Sequence, residues 1–293
     1  MAHVLVTGAS GFIGKALIER LSCAGHAVRS VYRVAPLAAS DVAIGSITGA
    51  TNWSAALRDT DAVVHLAGPA HAHFGAAALQ DGIVAATAAL AGQAEAAGVR
   101  RFVYLSSIKA ACRRTDAAAV SETSQCHDLD AYGAAKRAAE EAVAAHTALR
   151  AIALRPPLVF ASDAKGNFGN LLNLVATGAP LPLGGLSNAR SLISRASLIE
   201  AIVLALDEAA PPGVFHLADA PALSTTELVE TLCAGMGRSP RLFRAPRAQL
   251  PRALTESLAV DDSRFRAAYG VSWSRDVRSA LIDCAQSFKQ RRQ

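Results

Sequence analysis

Tyr132 and Lys136 stand four positions apart in the run Tyr132-Gly133-Ala134-Ala135-Lys136, so in a helical Ala-rich stretch they share one face. A phenol with a pKa of about 10 is a poor base at neutral pH, but a nearby ammonium group stabilises phenolate and brings proton exchange within reach. Tyrosine and lysine at this spacing also decorate ordinary helix surfaces, so the pair takes its meaning from context. Upstream, Tyr104-Leu105-Ser106-Ser107 places Ser107 at the carboxyl end of a predicted strand, where open α/β sheets carry ligand-contacting residues. Ser107 is there either as a hydroxyl partner for a reacting oxygen or as the cap of the following turn.

The context is supplied by Val4-Leu5-Val6-Thr7-Gly8-Ala9-Ser10-Gly11-Phe12-Ile13-Gly14, three glycines between a predicted strand and a predicted helix. Such glycines permit a tight turn, close backbone approach to a pyrophosphate and close helix packing, while the helix N-terminus faces the anion. The second strand ends near Tyr32, where an acid would normally accept from the ribose hydroxyls of NAD. The chain has Arg33 there instead, with Arg29 upstream, so a guanidinium can meet the 2′-phosphate of NADP or simply lie in solvent.

Short β-branched runs alternate with Ala-rich helical stretches, the pattern of βαβ units and a parallel sheet. Strands are predicted at 3–7, 27–32, 41–44, 62–66, 101–105 and 151–155, and helices at 12–24, 76–97 and 130–146. After Arg155-Pro156-Pro157 a Gly/Pro-rich stretch through Gly185 argues against long regular elements and marks the start of a substrate lobe. A strand-like Gly213-Val214-Phe215-His216-Leu217 follows, then Ser224-Thr225-Thr226-Glu227, spaced as a capping box. The expected fold is α/β, a Rossmann-type doubly wound parallel sheet with a smaller C-terminal lobe. In that division 1–158 bind the dinucleotide, with 191–220 returning to them, and 159–190 with 221–293 form the lobe.

Composition narrows the class. No apolar run of the 293 residues approaches the roughly 18 a membrane span needs. The first residues enter a strand pattern directly, without a signal-peptide pattern, so a cytoplasmic enzyme is expected. Five cysteines without a CxxC pair read as reduced thiols. The net charge of +5 comes from scattered arginines and one terminal cluster, which suits anionic small molecules, and no nucleic-acid-binding signature accompanies it. His71-Ala72-His73 lacks a third ligand at a recognisable spacing, so no metal is expected. His65 reads as structural, Asp130 as an N-cap, and Glu140 with Glu141 as a solvated helix face.

Taken together, Gly8, Gly11 and Gly14, His65-Leu66-Ala67-Gly68, Ser106-Ser107, Tyr132 with Lys136, and Arg155-Pro156-Pro157 resemble, in order, the motifs of the extended short-chain dehydrogenase/reductases, the nucleotide-sugar epimerase/dehydratase family. The resemblance implies that Gly8, Gly11, Phe12, Ile13, Gly14, Tyr32, Arg33, Ala67, Lys136 and Pro157 contact NAD or NADP. It implies that Ser107 polarises the substrate oxygen, Tyr132 exchanges its proton, and Lys136 tunes Tyr132 and binds ribose. Lys165-Gly166-Asn167-Phe168 and Arg190-Ser191-Leu192 resemble nucleotide-sugar contacts, with Asn167 and Arg190 as substrate ligands and UDP-sugars as the leading class. Departures from the family pattern fall at Ser46, Ile83, Ala86 and Ser197. Among the family's reactions, 4-epimerisation is favoured and NADPH-dependent reduction of a UDP-4-keto-sugar is the alternative. Dehydration is disfavoured because Ile108 and Lys109, not a carboxylate pair, follow Ser107. A reading of another class is a non-catalytic dinucleotide sensor, against which Ser107, Tyr132 and Lys136 argue. The Ala-rich helices predict a homodimer.

Overall fold

The computed structural model describes residues 1–69, 75–116, 118–126, 128–271 and 276–292, so the His71 and His73 pair lies outside the described residues. Seven parallel strands form the main sheet: β1 (His3–Thr7), β2 (Ala27–Tyr32), β3 (Val42–Ala43), β4 (Ala62–His65), β5 (Arg101–Leu105), β6 (Arg150–Arg155) and β9 (Gly213–His216). Their order is β3-β2-β1-β4-β5-β6-β9, with Thr7 beside His65 and His65 beside Tyr104 in register. The chain reverses its direction of strand addition between β1 and β4, which opens a crevice beyond their carboxyl ends.

Both faces of this sheet are buried, so its strands are nearly continuous in apolar residues. Side chains nonetheless alternate between two cores. Val4, Val6, Val64, Val103 and Leu154 pack with Leu17 and Leu21 of α1 (Gly14–Cys23) and Leu198 and Ile202 of α6 (Arg195–Ala205). Leu5, Val63, Phe102 and Tyr104 face the other way, onto Leu90 of α3 (Ala86–Ala96) and Ala135, Ala139 and Val143 of α4 (Ala131–Ala144). The period of two along each strand thus assigns each residue to a layer.

The single helix expected over 76–97 is α2 (Ala76–Leu79), a π-helical segment Gln80–Ala85, and α3. Gly82 lies inside the π turn, where a Cβ would meet Pro69 Cγ at 3.3 Å. A π bulge of this kind accommodates one extra residue within a continuing helix.

A third core lies under a smaller sheet of order β10-β8-β7, made of β7 (Leu158–Phe160), β8 (Arg190–Ser194) and β10 (Asp219–Leu223). Phe160, Leu192 and Leu223 from that sheet meet Phe168 and Leu172 of α5 (Gly166–Thr177), Leu232 of α7 (Thr225–Gly235) and Leu281 of α10 (Val277–Gln290). The short helices α8 (Arg252–Thr255) and α9 (Ser263–Tyr269) lie between α7 and α10 in the chain. The twelve-residue α5 corrects the expectation that glycines forbid a long element here. They punctuate it instead: Gly178 ends the helix at φ +72°, and Gly169 is pressed against the Ala164 carbonyl. The predicted capping box is present, with Ser224 Oγ accepting from the Glu227 amide and the Glu227 carboxylate accepting from the Ser224 amide.

Candidate active site

Gly8 adopts φ +72°, a conformation open to glycine, and carries the chain from β1 into the turn before α1. A Cβ on Gly14 would lie 2.2 Å from Gly8 O and 2.9 Å from Ala9 O, so the first turn of α1 sits directly on the loop. A Cβ on Gly8 would lie 3.0 Å from the amide of Ala67. No side chain caps α1; Lys15 N donates back to Gly11 O at 3.2 Å, and the positive end of the helix faces the glycine loop. This cradle fits the pyrophosphate of a dinucleotide. Phe12 is clamped from outside: the Arg195 guanidinium lies 4.6 Å over its ring and donates to its carbonyl, while Ile13 packs into the core beneath. Contacts from these two residues to a phosphate would therefore be made by backbone.

Thr7 and His65 close the floor. Thr7 Oγ1 accepts from the Leu66 and Ala67 amides at 3.2 Å and lies 2.7 Å from His65 Nδ1, while His65 Nε2 reaches Thr87 at 3.2 Å. Burial, reinforced by Lys136, pushes the His65 pKa down to about 3, so the ring is neutral and structural.

At the carboxyl end of β2 Tyr32 is half-buried and Arg33 is exposed. Arg29 is not available there, because it donates to the Ala56 and Arg58 carbonyls. The acid brought nearest by the following loop, Asp41, accepts from the amides of Ser30, Leu37 and Ala38.

Asp130 caps α4 by accepting from the Gly133 amide at 2.7 Å and also pairs with Lys109 at 2.8 Å. The cap ties the start of α4 to the turn after Ser107, and Gly133 permits the close approach. Lys136, 6% exposed, donates to Leu105 O at 2.9 Å and lies 4.7 Å over the Tyr104 ring and 6.0 Å from the Tyr132 ring centre. Burial pulls its pKa to about 8, with Glu140 opposing. Tyr132 departs from expectation: burial, then the Asp130 charge, push its phenol up to about 12, while the Lys136 ammonium donates to Leu105 O. The resting phenol is a proton donor.

Ser107 Oγ accepts from the Lys109 amide at 3.2 Å, capping the turn as one of its two sequence readings held. The hydroxyl hydrogen is still free to donate to a substrate oxygen. Pro157 is buried at the end of β6, and Ile108 N donates to Pro156 O, joining that end to the Ser107 turn.

The glycine turn, Ala67, Ser107, Tyr132, Lys136 and Pro157 therefore all lie at carboxyl ends of neighbouring strands or on α4 beside them. Asn167 and Arg190 belong to the smaller layer: Asn167 is exposed in the first turn of α5, and Arg190 opens β8, donating to Glu256 O at 3.1 Å. Burial holds the Arg190 pKa below its usual value.

Glu140 was expected in solvent and is buried; only Glu141 is exposed. Its carboxylate accepts from Arg155 Nε at 2.9 Å and Nη2 at 2.5 Å, and from Ser106 Oγ. The signal lay in the spacing, since Glu140 follows Lys136 by four and continues the face that begins at Tyr132.

A glycine turn under a helix N-terminus, with a tyrosine and a lysine on the helix beside β5, defines a dinucleotide-dependent enzyme of the extended short-chain dehydrogenase/reductase class. Residues 4–218 match the model of the NAD dependent epimerase/dehydratase family, and the chain belongs to that family. It is 30% identical to the UDP-glucose 4-epimerase of Vibrio cholerae, across 98% of this chain and 95% of that one. Its fold is similar to that of UDP-N-acetylglucosamine 4-epimerase from Bacillus cereus, with a TM-score of 0.84, 18% identity, and coverage of 99% and 100% of the two chains. It is similar also to MoeE5 in complex with UDP-glucuronic acid and NAD, with a TM-score of 0.83, 24% identity and the same coverage.

Proposed function

We propose that the chain epimerises a UDP-sugar at C4 by NAD(P)-dependent hydride transfer. The observation that carries this reading is the buried Lys136 beneath a half-buried Tyr132, beside Ser107. The nicotinamide, when bound, supplies the hydride acceptor and donor. With its own proton lost to solvent and the charge held by Lys136, Tyr132 Oη takes the proton of the C4 hydroxyl as hydride leaves C4, and returns it to the same oxygen when hydride comes back to the other face of C4, while Ser107 Oγ donates to that oxygen. Lys136 holds the nicotinamide ribose and stabilises phenolate when the proton leaves Tyr132. Residues 1–158 with 191–220 hold the dinucleotide, and 159–190 with 221–293 hold the nucleotide sugar, with Asn167 and Arg190 among its ligands. The enzyme acts in the cytoplasm as a homodimer.

A second reading is reduction of a UDP-4-keto-sugar by NADPH. Two features favour it: the phenol rests protonated, ready to donate to a carbonyl oxygen, and Arg33 is exposed where a 2′-phosphate would lie. Product analysis with UDP-hexoses and with UDP-4-keto-sugars, each with and without NADPH, separates the two. Interconversion of C4 epimers without net cofactor consumption supports epimerisation. NADPH oxidation with the keto-sugar alone supports reduction, and if neither is observed the sugar-nucleotide reading fails.

A further inference from the structure

We propose that Glu140 is a positioning residue for the Tyr132 and Lys136 pair, its buried carboxylate serving as counter-charge to the Lys136 ammonium while joining α4 to the ends of β5 and β6. The inference rests on the catalytic reading above.

Four buried polar side chains form one network here. Ser106 follows β5, Glu140 is on α4, Arg155 ends β6 and His216 ends β9, with exposures of 5%, 6%, 9% and 0%. Arg155 donates twice to Glu140 and its third nitrogen lies 3.4 Å from His216 Nε2. His216 Nδ1 lies 3.1 Å from the Val120 carbonyl, so it must be the donor there, and Nε2 is left to accept from Arg155. Burial lowers the His216 pKa and keeps this neutral tautomer, with Glu122 opposing from the loop above. The guanidinium is thus fixed from both sides and holds the carboxylate in turn. A buried ion pair is seldom more stabilising than apolar residues of the same size, so stability alone accounts poorly for one at this position.

The groups around Lys136 show what the carboxylate does. Tyr132 and Glu140 flank it on α4, the Tyr104 ring and Leu105 O face it from β5, and neutral His65 faces it from β4. Arg155 reaches it only through Glu140. Of these, Glu140 is the anion, and it works against the burial that strips the proton from Lys136. Glu140→Gln keeps the shape and removes the charge. The ammonium should then lose its proton at lower pH, and with it the ability to stabilise phenolate.

The test is the pH dependence of kcat for wild type and Glu140→Gln, together with titration of the Lys136 Cε and Nζ signals by NMR, which does not rely on turnover. The alkaline limb and the lysine titration should both move down by about one pH unit or more, so the variant recovers most of its activity below pH 7. Glu140→Asp should bring the limb part of the way back. A kcat reduced by one factor at every pH, with the lysine titration unmoved, would overturn the proposal and leave Glu140 as a structural residue. If Glu140→Gln does not fold because Arg155 is left unpaired, Glu140→Gln with Arg155→Met removes both charges and should give a smaller shift in the same direction, because losing the more distant Arg155 cation offsets only part of the loss of the carboxylate. If Tyr132→Phe keeps near-native turnover, the catalytic reading itself fails, and the NMR titration still reports on Glu140 independently.

Discussion

Replacing Gly133 by alanine adds one methyl group at the closest approach between α4 and the turn that carries Ser107. That methyl would lie 2.2 Å from Lys109 O and 2.9 Å from Lys109 C. The first distance is roughly 1 Å inside ordinary carbon–oxygen contact. The atom it meets is backbone, so no side chain can swing aside. The Asp130 cap and its ion pair with Lys109 hold the same two segments together, so the helix start must lift by about the missing distance or the turn must yield. Overpacking of this size costs about 1–3 kcal/mol, against a gain of up to about 1 kcal/mol from replacing a helical glycine. A 1 Å displacement at reacting groups costs on the order of a hundredfold in rate, and here it separates Tyr132 from Ser107. Urea denaturation followed by fluorescence and steady-state turnover on the same preparation measure both effects. Dinucleotide affinity should fall less than turnover, because the glycine turn is on the far side of β4 and α4 meets the cofactor only through Lys136. Turnover within about twofold of wild type in a variant that is also more stable would refute this account of α4.

Tyr132→Phe should lower turnover by about two to four orders of magnitude and leave cofactor affinity nearly unchanged, as read by kinetics and titration calorimetry. Gly11→Leu should abolish dinucleotide binding in a protein that still unfolds cooperatively, since even a Cβ there meets Gly8 O at 3.0 Å; unchanged affinity would remove the glycine turn from the site. Arg33→Ala should weaken NADPH more than NADH, and equal losses would make Arg33 a surface charge only. For pH, the sign follows from His65, whose folded pKa of about 3 lies below that of the unfolded chain, near 6.5. The unfolded state therefore binds more protons in that interval, so stability falls as pH falls, at up to roughly 1.4 kcal/mol per unit. Chemical denaturation between pH 6.5 and 5, above the carboxylate range, should show the decline, with His216 adding to it in the same direction; a flat profile there would contradict the burial of these rings as neutral species.

The parts of the molecule that were legible in the sequence are those set by local rules. Val4-Leu5-Val6 before Gly8, and Ser224 three residues before Glu227, predict their strand and cap because the pattern and the structure span the same few residues. Glu140 was misread because its partners, Ser106 and Arg155, come from two other strands, and nothing within α4 announces them. The same limit applies to Tyr132: the helical spacing to Lys136 was right, but the direction of the ammonium is decided by Leu105 O across the sheet. Arg29 looked free beside Arg33 until the 56–58 turn folded over it. The π segment Gln80–Ala85 leaves no trace in composition, since its residues are ordinary helix and turn formers.

The sheet places β9 against β6, and Phe215 of β9 packs with Phe265 and Tyr269 of α9. A growing chain can assemble the first six strands as soon as β6 has emerged from the ribosome. The edge of β6 and the face that Phe215 and α9 will cover must wait for the later segments. At roughly 5–20 residues per second the delay is on the order of ten seconds, long enough for an unpaired strand edge to meet another chain. Arg155 would spend that interval without His216, which gives the nascent protein an open flank that a chaperone would need to guard.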